Sequence, residues 1–131
     1  MKIVVDASVL VAVVAEEPSK PSLLQATAGH ELVAPGSIHW EIGNAFSTML
    51  RRKRLTAADA VKAIEAYKQI PIEVLGVDIT ESVKLAARMN LYAYDAYILQ
   101  CATKYGLPLI SLDENLIRVA QAFGIGVVEV T

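Results

Sequence analysis

Short aliphatic runs alternate along this chain with longer stretches whose apolar residues recur every three or four positions. The runs are Lys2–Val5, Glu31–Ala34, Ile72–Gly76, Leu107–Ser111 and Gly126–Val130. They do not alternate polar with apolar residues, as expected of strands covered on both faces. The helical stretches span about Ser8–Ala15, Lys20–Ala28, Ser37–Arg54, Thr56–Gln69, Thr80–Met89, Tyr94–Tyr105 and Glu114–Phe123. Breakers separate them: Pro18, Pro21, Pro35 with Gly36, Pro71, Gly106 with Pro108, and Gly124 with Gly126. Thr56, Thr80 and Asp113 stand where helix N-caps belong. Strands alternating with helices predict an α/β fold, a three-layer α/β/α sandwich around a central, mostly parallel five-stranded sheet. Two helical stretches follow one another between the second and third strands, where a crossover needs one. The extra helix predicts a helical arm projecting from the sandwich.

Composition narrows the class. At 131 residues the chain has the size of a single domain, residues 1–131, with room for a real core. Its hydrophobic fraction is 54% and its mean hydropathy +0.43, high for a small soluble protein. No apolar stretch approaches the roughly 18 uncharged residues a membrane span needs. Asp6 interrupts the first apolar run at once, which argues against a signal peptide. A cytoplasmic protein is therefore expected, with the surplus apolar residues assigned to a subunit or partner interface. Cys101, the single cysteine, has Ile98, Leu99 and Ala102 around it and reads as a small core residue.

Four acids carry the candidate chemistry. Asp6 ends the first aliphatic run and Asp113 the fourth, each just before a helix. In open parallel sheets ligands bind beyond the carboxyl ends of the strands, so neighbouring first and fourth strands would aim both carboxylates into one crevice. Glu41 and Asp95 lie in otherwise apolar helical stretches, where an unpaired carboxylate costs several kcal/mol. Asp95 sits in a first helical turn, where the dipole favours negative charge. Such a cluster repels itself unless a cation stands between its members. A hard divalent ion, Mg²⁺ or Mn²⁺, suits oxygen-only ligands, and phosphodiester hydrolysis is the simplest chemistry it would support. The candidate catalytic and metal-binding residues are accordingly Asp6, Glu41, Asp95 and Asp113. The net charge of −2 looks wrong for a nucleic-acid binder. Setting those four apart leaves ten acids against 12 bases, a balance of +2 that permits such binding.

Other residues take supporting parts. Ser8 and Ser111 could orient a carboxylate or a metal-bound water, or serve only as a helix-start hydroxyl and a strand-end turn. Arg51-Arg52-Lys53-Arg54 offers an RNA contact, chiefly through Arg51 and Arg52, although cations at a helix C-terminus also match the macrodipole. His39, close to Glu41, could touch substrate or act as a local hydrogen-bond partner. Trp40, Phe46, Met49 and Leu50 recur at helical spacing and read as core or dimer contacts rather than base-stacking platforms. Tyr92, Tyr94 and Tyr97 flank Asp95.

Taken in order, these motifs resemble those of the PIN-domain ribonucleases, in layout the VapC-type toxins of toxin–antitoxin pairs. Val4-Val5-Asp6-Ala7-Ser8 is similar to the family's opening motif and Glu41, within Trp40-Glu41-Ile42-Gly43-Asn44-Ala45, to its helical glutamate. Tyr94-Asp95-Ala96 and Ser111-Leu112-Asp113 resemble its two later aspartate motifs. The resemblance runs over essentially the whole chain. It implies a Mg²⁺- or Mn²⁺-dependent endoribonuclease acting on RNA, a homodimer, and neutralisation by a small VapB-type antitoxin. After the last motif, where some members carry another acid, this chain has Glu114, Asn115 and Leu116. A housekeeping PIN nuclease in RNA maturation would share the chemistry and differ in its partners. A receiver-type phosphoacceptor domain, with Asp78 as acceptor, fits less well. It lacks the N-terminal acid pair, and no lysine follows the last strand.

Overall fold

The computed structural model describes all 131 residues. Its elements in chain order are β1 (Lys2–Val5), α1 (Ala7–Val14), α2 (Lys20–Thr27), β2 (Glu31–Pro35), α3 (Ile38–Arg51), α4 (Ala57–Lys68), β3 (Ile72–Leu75), α5 (Ile79–Met89), α6 (Ala93–Tyr105), β4 (Leu109–Ile110) and α7 (Glu114–Ala122). The strands form one sheet in the order β3-β2-β1-β4, every pair parallel.

Side chains from successive strand positions enter opposite layers, as the period of two requires. Ile3, Val5, Ala34 and Ile110 join a core built with α1, α2, α3 and α4. Val4, Val33 and Leu109 join the other, built with α5, α6 and α7. That double burial is why the strands read as unbroken aliphatic runs. Helices cover both faces, and the predicted α/β/α sandwich is the observed architecture.

The sheet has four strands where five were expected. Gly126–Val130 makes a single parallel bridge, Leu109 to Val127, closed by Leu109 N–H donating to the Gly126 carbonyl and Val128 N–H to that of Leu109. The limit lies in its partner. β4 is two residues long: before it Pro108 has no N–H to extend a ladder, and after it the chain turns away at Ser111.

Between β2 and β3 the two expected helices form. The inner face of α4, through Ala60, Ala63 and Tyr67, is buried in the first core beside Ile38, Ile42 and Phe46 of α3. This anchors the helix pair, while the turn at Arg51–Arg54 stays exposed. The Tyr67 hydroxyl lies 2.6 Å from His39 Nδ1 and ties α3 to α4. Thr56 caps α4 as predicted, accepting the Asp59 N–H. The cap of α5 is not Thr80 but Asp78, whose carboxylate accepts the Glu81 N–H. Asp78 is thereby spoken for as a helix cap, the ordinary role for an aspartate after a strand. Cys101 is buried, and burial pushes its thiol up to about 11, so it packs as a core residue.

Candidate functional site: an acidic cluster at the strand ends

β1 and β4 are neighbours, and this adjacency builds the site. Asp6 N–H donates to the Ile110 carbonyl, so the residues leaving the two strands stand side by side. Asp6 is buried, only 5% exposed, yet its carboxylate does not cap α1. Its Oδ2 instead receives two hydroxyls, Ser8 at 2.6 Å and Ser111 at 2.8 Å. Each serine in turn accepts a backbone N–H: Ser8 from Leu112 and Ser111 from Asp113, both at 3.0 Å. A hydroxyl has one proton to give. With the backbone amides supplying the incoming bonds, both serine protons are directed to one carboxylate oxygen. Oδ1 of Asp6 receives no protein hydrogen bond and is left for another ligand.

Asp113 is exposed and caps α7, its Oδ1 accepting from Asn115 N–H and Leu116 N–H. The cap and the site coexist because a carboxylate has a second oxygen. Glu114 beside it is exposed, and Asn115 is engaged through its amide oxygen by Arg118.

Glu41 and Asp95 arrive from the helices. Glu41 is in the first turn of α3, half-buried, and its Oε2 is buried without any hydrogen-bond partner. Burial, then the negative charges of Asp6 and Asp95, push its carboxyl up to about 8. Asp95, in the first turn of α6, is pushed up to about 6 by burial, then by Asp6 and Asp113. All four acids therefore share one neighbourhood, each within reach of another's field. No three acids, histidines or cysteines close into a ready-made metal cage. The donor set is all hard oxygen, and it includes an orphaned buried atom. That fits an ion such as Mg²⁺, which keeps several waters and takes only one or two carboxylates directly.

The remaining candidates fall elsewhere. His39 turns toward α4 and Tyr67 rather than toward the acids. Arg51 and Arg52 end α3, ten and eleven residues beyond Glu41, or about 15 Å along the axis at 1.5 Å per residue. Phe46 is core, whereas Trp40 is 71% exposed and Leu50 37%, so of the two roles their spacing suggested, core or dimer contact, the core is not theirs. Two clefts of about 560 and 580 Å³ are lined by none of the four acids.

The serine network makes a testable contribution. Ser111→Ala removes a donor from a buried carboxylate and strands the Asp113 N–H. The expected loss is about 2 kcal/mol of stability, the usual range for a buried hydrogen bond to a charged group. Urea melts check this, and a change below about 0.5 kcal/mol would mean that water replaces the hydroxyl.

Sequence and fold comparisons place the chain among known proteins. A family profile described as PIN domain matches residues 3–122. The chain is 32% identical over 130 residues to Ribonuclease VapC3 of Mycobacterium tuberculosis, covering 94% of this chain and 93% of that protein. Among solved structures, that of PAE2754 from Pyrobaculum aerophilum superposes with a TM-score of 0.71 at 24% identity, covering 97% of this chain and 83% of the other. The crystal structure of VapBC2 from Rickettsia felis bound to a DNA fragment from their promoter gives 0.66 at 12% identity and 97% coverage of both chains. On that profile match and that identity, the chain belongs to the PIN domain family.

Proposed function

We propose that this protein is a divalent-metal-dependent endoribonuclease and the toxin of a VapBC-type pair. The observation that carries the reading is Glu41. A buried carboxylate oxygen with no donor, in the field of two further acids, must either keep a proton or be completed by a cation, and only the cation leaves it ionised. The relationship to a ribonuclease of the VapC kind supports the substrate, and the fold likeness to a VapBC chain is consistent with a VapB-type partner.

Asp6, Glu41, Asp95 and Asp113 would hold the ion. When bound, it would help generate a nucleophilic water and offset charge on the leaving oxygen of the RNA phosphodiester. The chain's own residues do the positioning. Ser8 and Ser111 fix Asp6 by one oxygen, so that the other keeps a set direction. The N-terminus of α6 offsets part of the negative charge at Asp95. None of Arg51 to Arg54 takes part in an ion pair; the four pairs in the structure all use Lys2, Lys20, Lys68 or Lys84. Arg51 and Arg52 are free to meet the phosphate backbone two or more nucleotides from the cut. The exposed apolar residues Val74, Ile79 and Val83 around the sheet's β3 edge offer a surface for a homodimer. No helix is long and apolar enough to cross a membrane.

The test is cleavage of structured and unstructured RNA with Mg²⁺, Mn²⁺ or excess EDTA, with Asp95→Asn alongside. Metal-dependent cutting that the variant loses by at least about a hundredfold is expected, a common cost of removing one group that stabilises transition-state charge. Equal cutting in EDTA would sink the metal reading.

A further inference from the structure

Only two buried side-chain nitrogen or oxygen atoms of the protein lack a hydrogen-bond partner within it: Glu41 Oε2 and Ser37 Oγ. The acid cluster accounts for the first. The second lies four residues earlier, at the N-cap of α3. A serine there ordinarily has an extended backbone and accepts an N–H from the first helical turn. Ser37 does neither: its backbone is already helical, at φ −60° and ψ −16°, and its side chain caps nothing. A buried hydroxyl released from the cap calls for another explanation.

The two orphaned atoms belong to one turn of helix. Glu41 N–H donates to the Ser37 carbonyl at 3.0 Å, which closes that turn. Four residues rotate a helix by about 400°, so the two side chains lie about 40° apart on one face, with Cβ atoms about 5–6 Å apart. Helical side chains lean toward the N-terminus, so Glu41 reaches back over the turn that Ser37 opens. This row runs beside the buried stripe of Ile38, Ile42 and Phe46. Asp6 and Asp95 are near enough for their charges to act on Glu41. The free hydroxyl therefore stands one turn from the carboxylates. Ser8 and Ser111 are differently placed, because they give their protons to Asp6 and accept backbone amides in return. Ser37 has both its proton and its lone pairs uncommitted.

An ion such as Mg²⁺ keeps several of its waters, and their protons need acceptors. A hydroxyl supplies one without adding charge to a cluster that is already negative. We propose that Ser37 is a positioning residue of this site: its hydroxyl accepts a hydrogen bond from a water that the ion retains beside Glu41, and so fixes that water's orientation. The inference rests on the metal-dependent reading and adds a residue to it. Ser37 touches neither the ion nor the RNA. It acts through the water, as groups behind metal ligands commonly do.

The experiment is isothermal titration of the full-length protein with Mn²⁺, beside thermal melts in EDTA, for wild type, Ser37→Ala and Ser37→Thr. Ser37→Ala should bind Mn²⁺ roughly tenfold more weakly, the low end of what such a partner contributes. Its Tm in EDTA should be no lower than that of wild type, because the deleted hydroxyl has no partner to lose. Ser37→Thr keeps the hydroxyl and should bind Mn²⁺ nearly as wild type does. At saturating Mn²⁺, RNA cleavage by Ser37→Ala should lose kcat and keep its KM, as expected of a group that orients without binding substrate. A serine that merely starts the helix makes the opposite forecast: a lower Tm in EDTA and native Mn²⁺ affinity. Three results overturn the proposal. One is Mn²⁺ affinity unchanged in Ser37→Ala. Another is a lower Tm in EDTA for that variant. The third is a Ser37→Thr protein that binds Mn²⁺ no better than Ser37→Ala. In all three the wild-type protein still binds Mn²⁺. If it binds none, the metal-dependent reading fails and the role of Ser37 falls with it.

Discussion

Replacing Glu41 with glutamine is expected to stabilise the metal-free protein while abolishing metal-dependent cleavage. Most active-site substitutions leave stability alone or lower it; here the sign is set by charge. The Glu41 carboxyl is pushed up to about 8 by burial and by Asp6 and Asp95, so at neutral pH the folded protein must hold a proton that the unfolded chain has released. Glutamine has nearly the same shape and needs no proton. After discounting for the part of the group that solvent reaches, the gain at pH 7 is about 2 kcal/mol. For a domain of this size that is roughly 6–10 °C in Tm. In saturating Mn²⁺ the order should reverse, because only the native carboxylate can join the ion. Thermal melts in EDTA and in Mn²⁺, beside an RNA cleavage assay, check both halves. A glutamine variant less stable than wild type in EDTA would show that Oε2 has a protein or water partner after all.

The pairing of stability with silence reflects how the site is built. Asp6 is satisfied by two hydroxyls, and Asp113 by two backbone amides; Glu41 is left without a donor. Strain of this kind belongs to functional sites, where local rules are broken for a ligand's sake.

Much of this was legible in the chain. An aliphatic run ending in aspartate before a helix predicts a carboxylate at a strand's C-terminal edge. With β1 and β4 adjacent, Asp6 and Asp113 had to meet. Glu41 could be singled out because Trp40, Ile42 and Ala45 offer no partner to a charge. Other features depend on what the local pattern does not contain. Gly126–Val130 has the composition of a strand, but strand formation is decided by the length of its neighbour, and β4 stops after two residues. Thr80 looked like a cap, yet Asp78 two residues earlier is in extended conformation and takes that role. Spacing alone groups Trp40 with Phe46, Met49 and Leu50 as core or dimer contacts and does not separate the two roles. Fixing the phase of the helix on Ile38, Ile42 and Phe46 would have put it outside. Of the two roles open to His39 in the sequence, substrate contact near Glu41 or hydrogen-bond partner, the structure shows the second, because two-residue neighbours on a helix point nearly opposite ways. Its true partner, Tyr67, lies on the same inner stripe as Ala60 and Ala63, and that stripe was readable.

The same carboxyls predict an unusual pH profile. Glu41 is raised from an ordinary 4.5 to about 8 and Asp95 from 3.8 to about 6. In each case the folded state binds the proton more tightly than the unfolded chain. Stability from these groups is therefore fully present below about pH 4, and it is lost as pH rises through 6 for Asp95 and 8 for Glu41. The slope cannot exceed about 1.4 kcal/mol per pH unit for each proton, and partial exposure makes it shallower. Ordinary paired carboxylates give the opposite trend in acid, so the quantity to measure is a difference. Wild type minus Glu41→Gln, in EDTA, should fall steadily between about pH 5 and 8 and level off above it. A bound divalent ion must displace the same protons, so its affinity should climb across that interval and flatten once Glu41 is ionised. Melts at half-unit steps from pH 5 to 9, with and without Mn²⁺, read both trends together. The gap in Tm between the two series should widen up to about pH 8. A gap that does not change with pH would mean that the ion binds elsewhere, or that these carboxyls are already ionised in the folded protein.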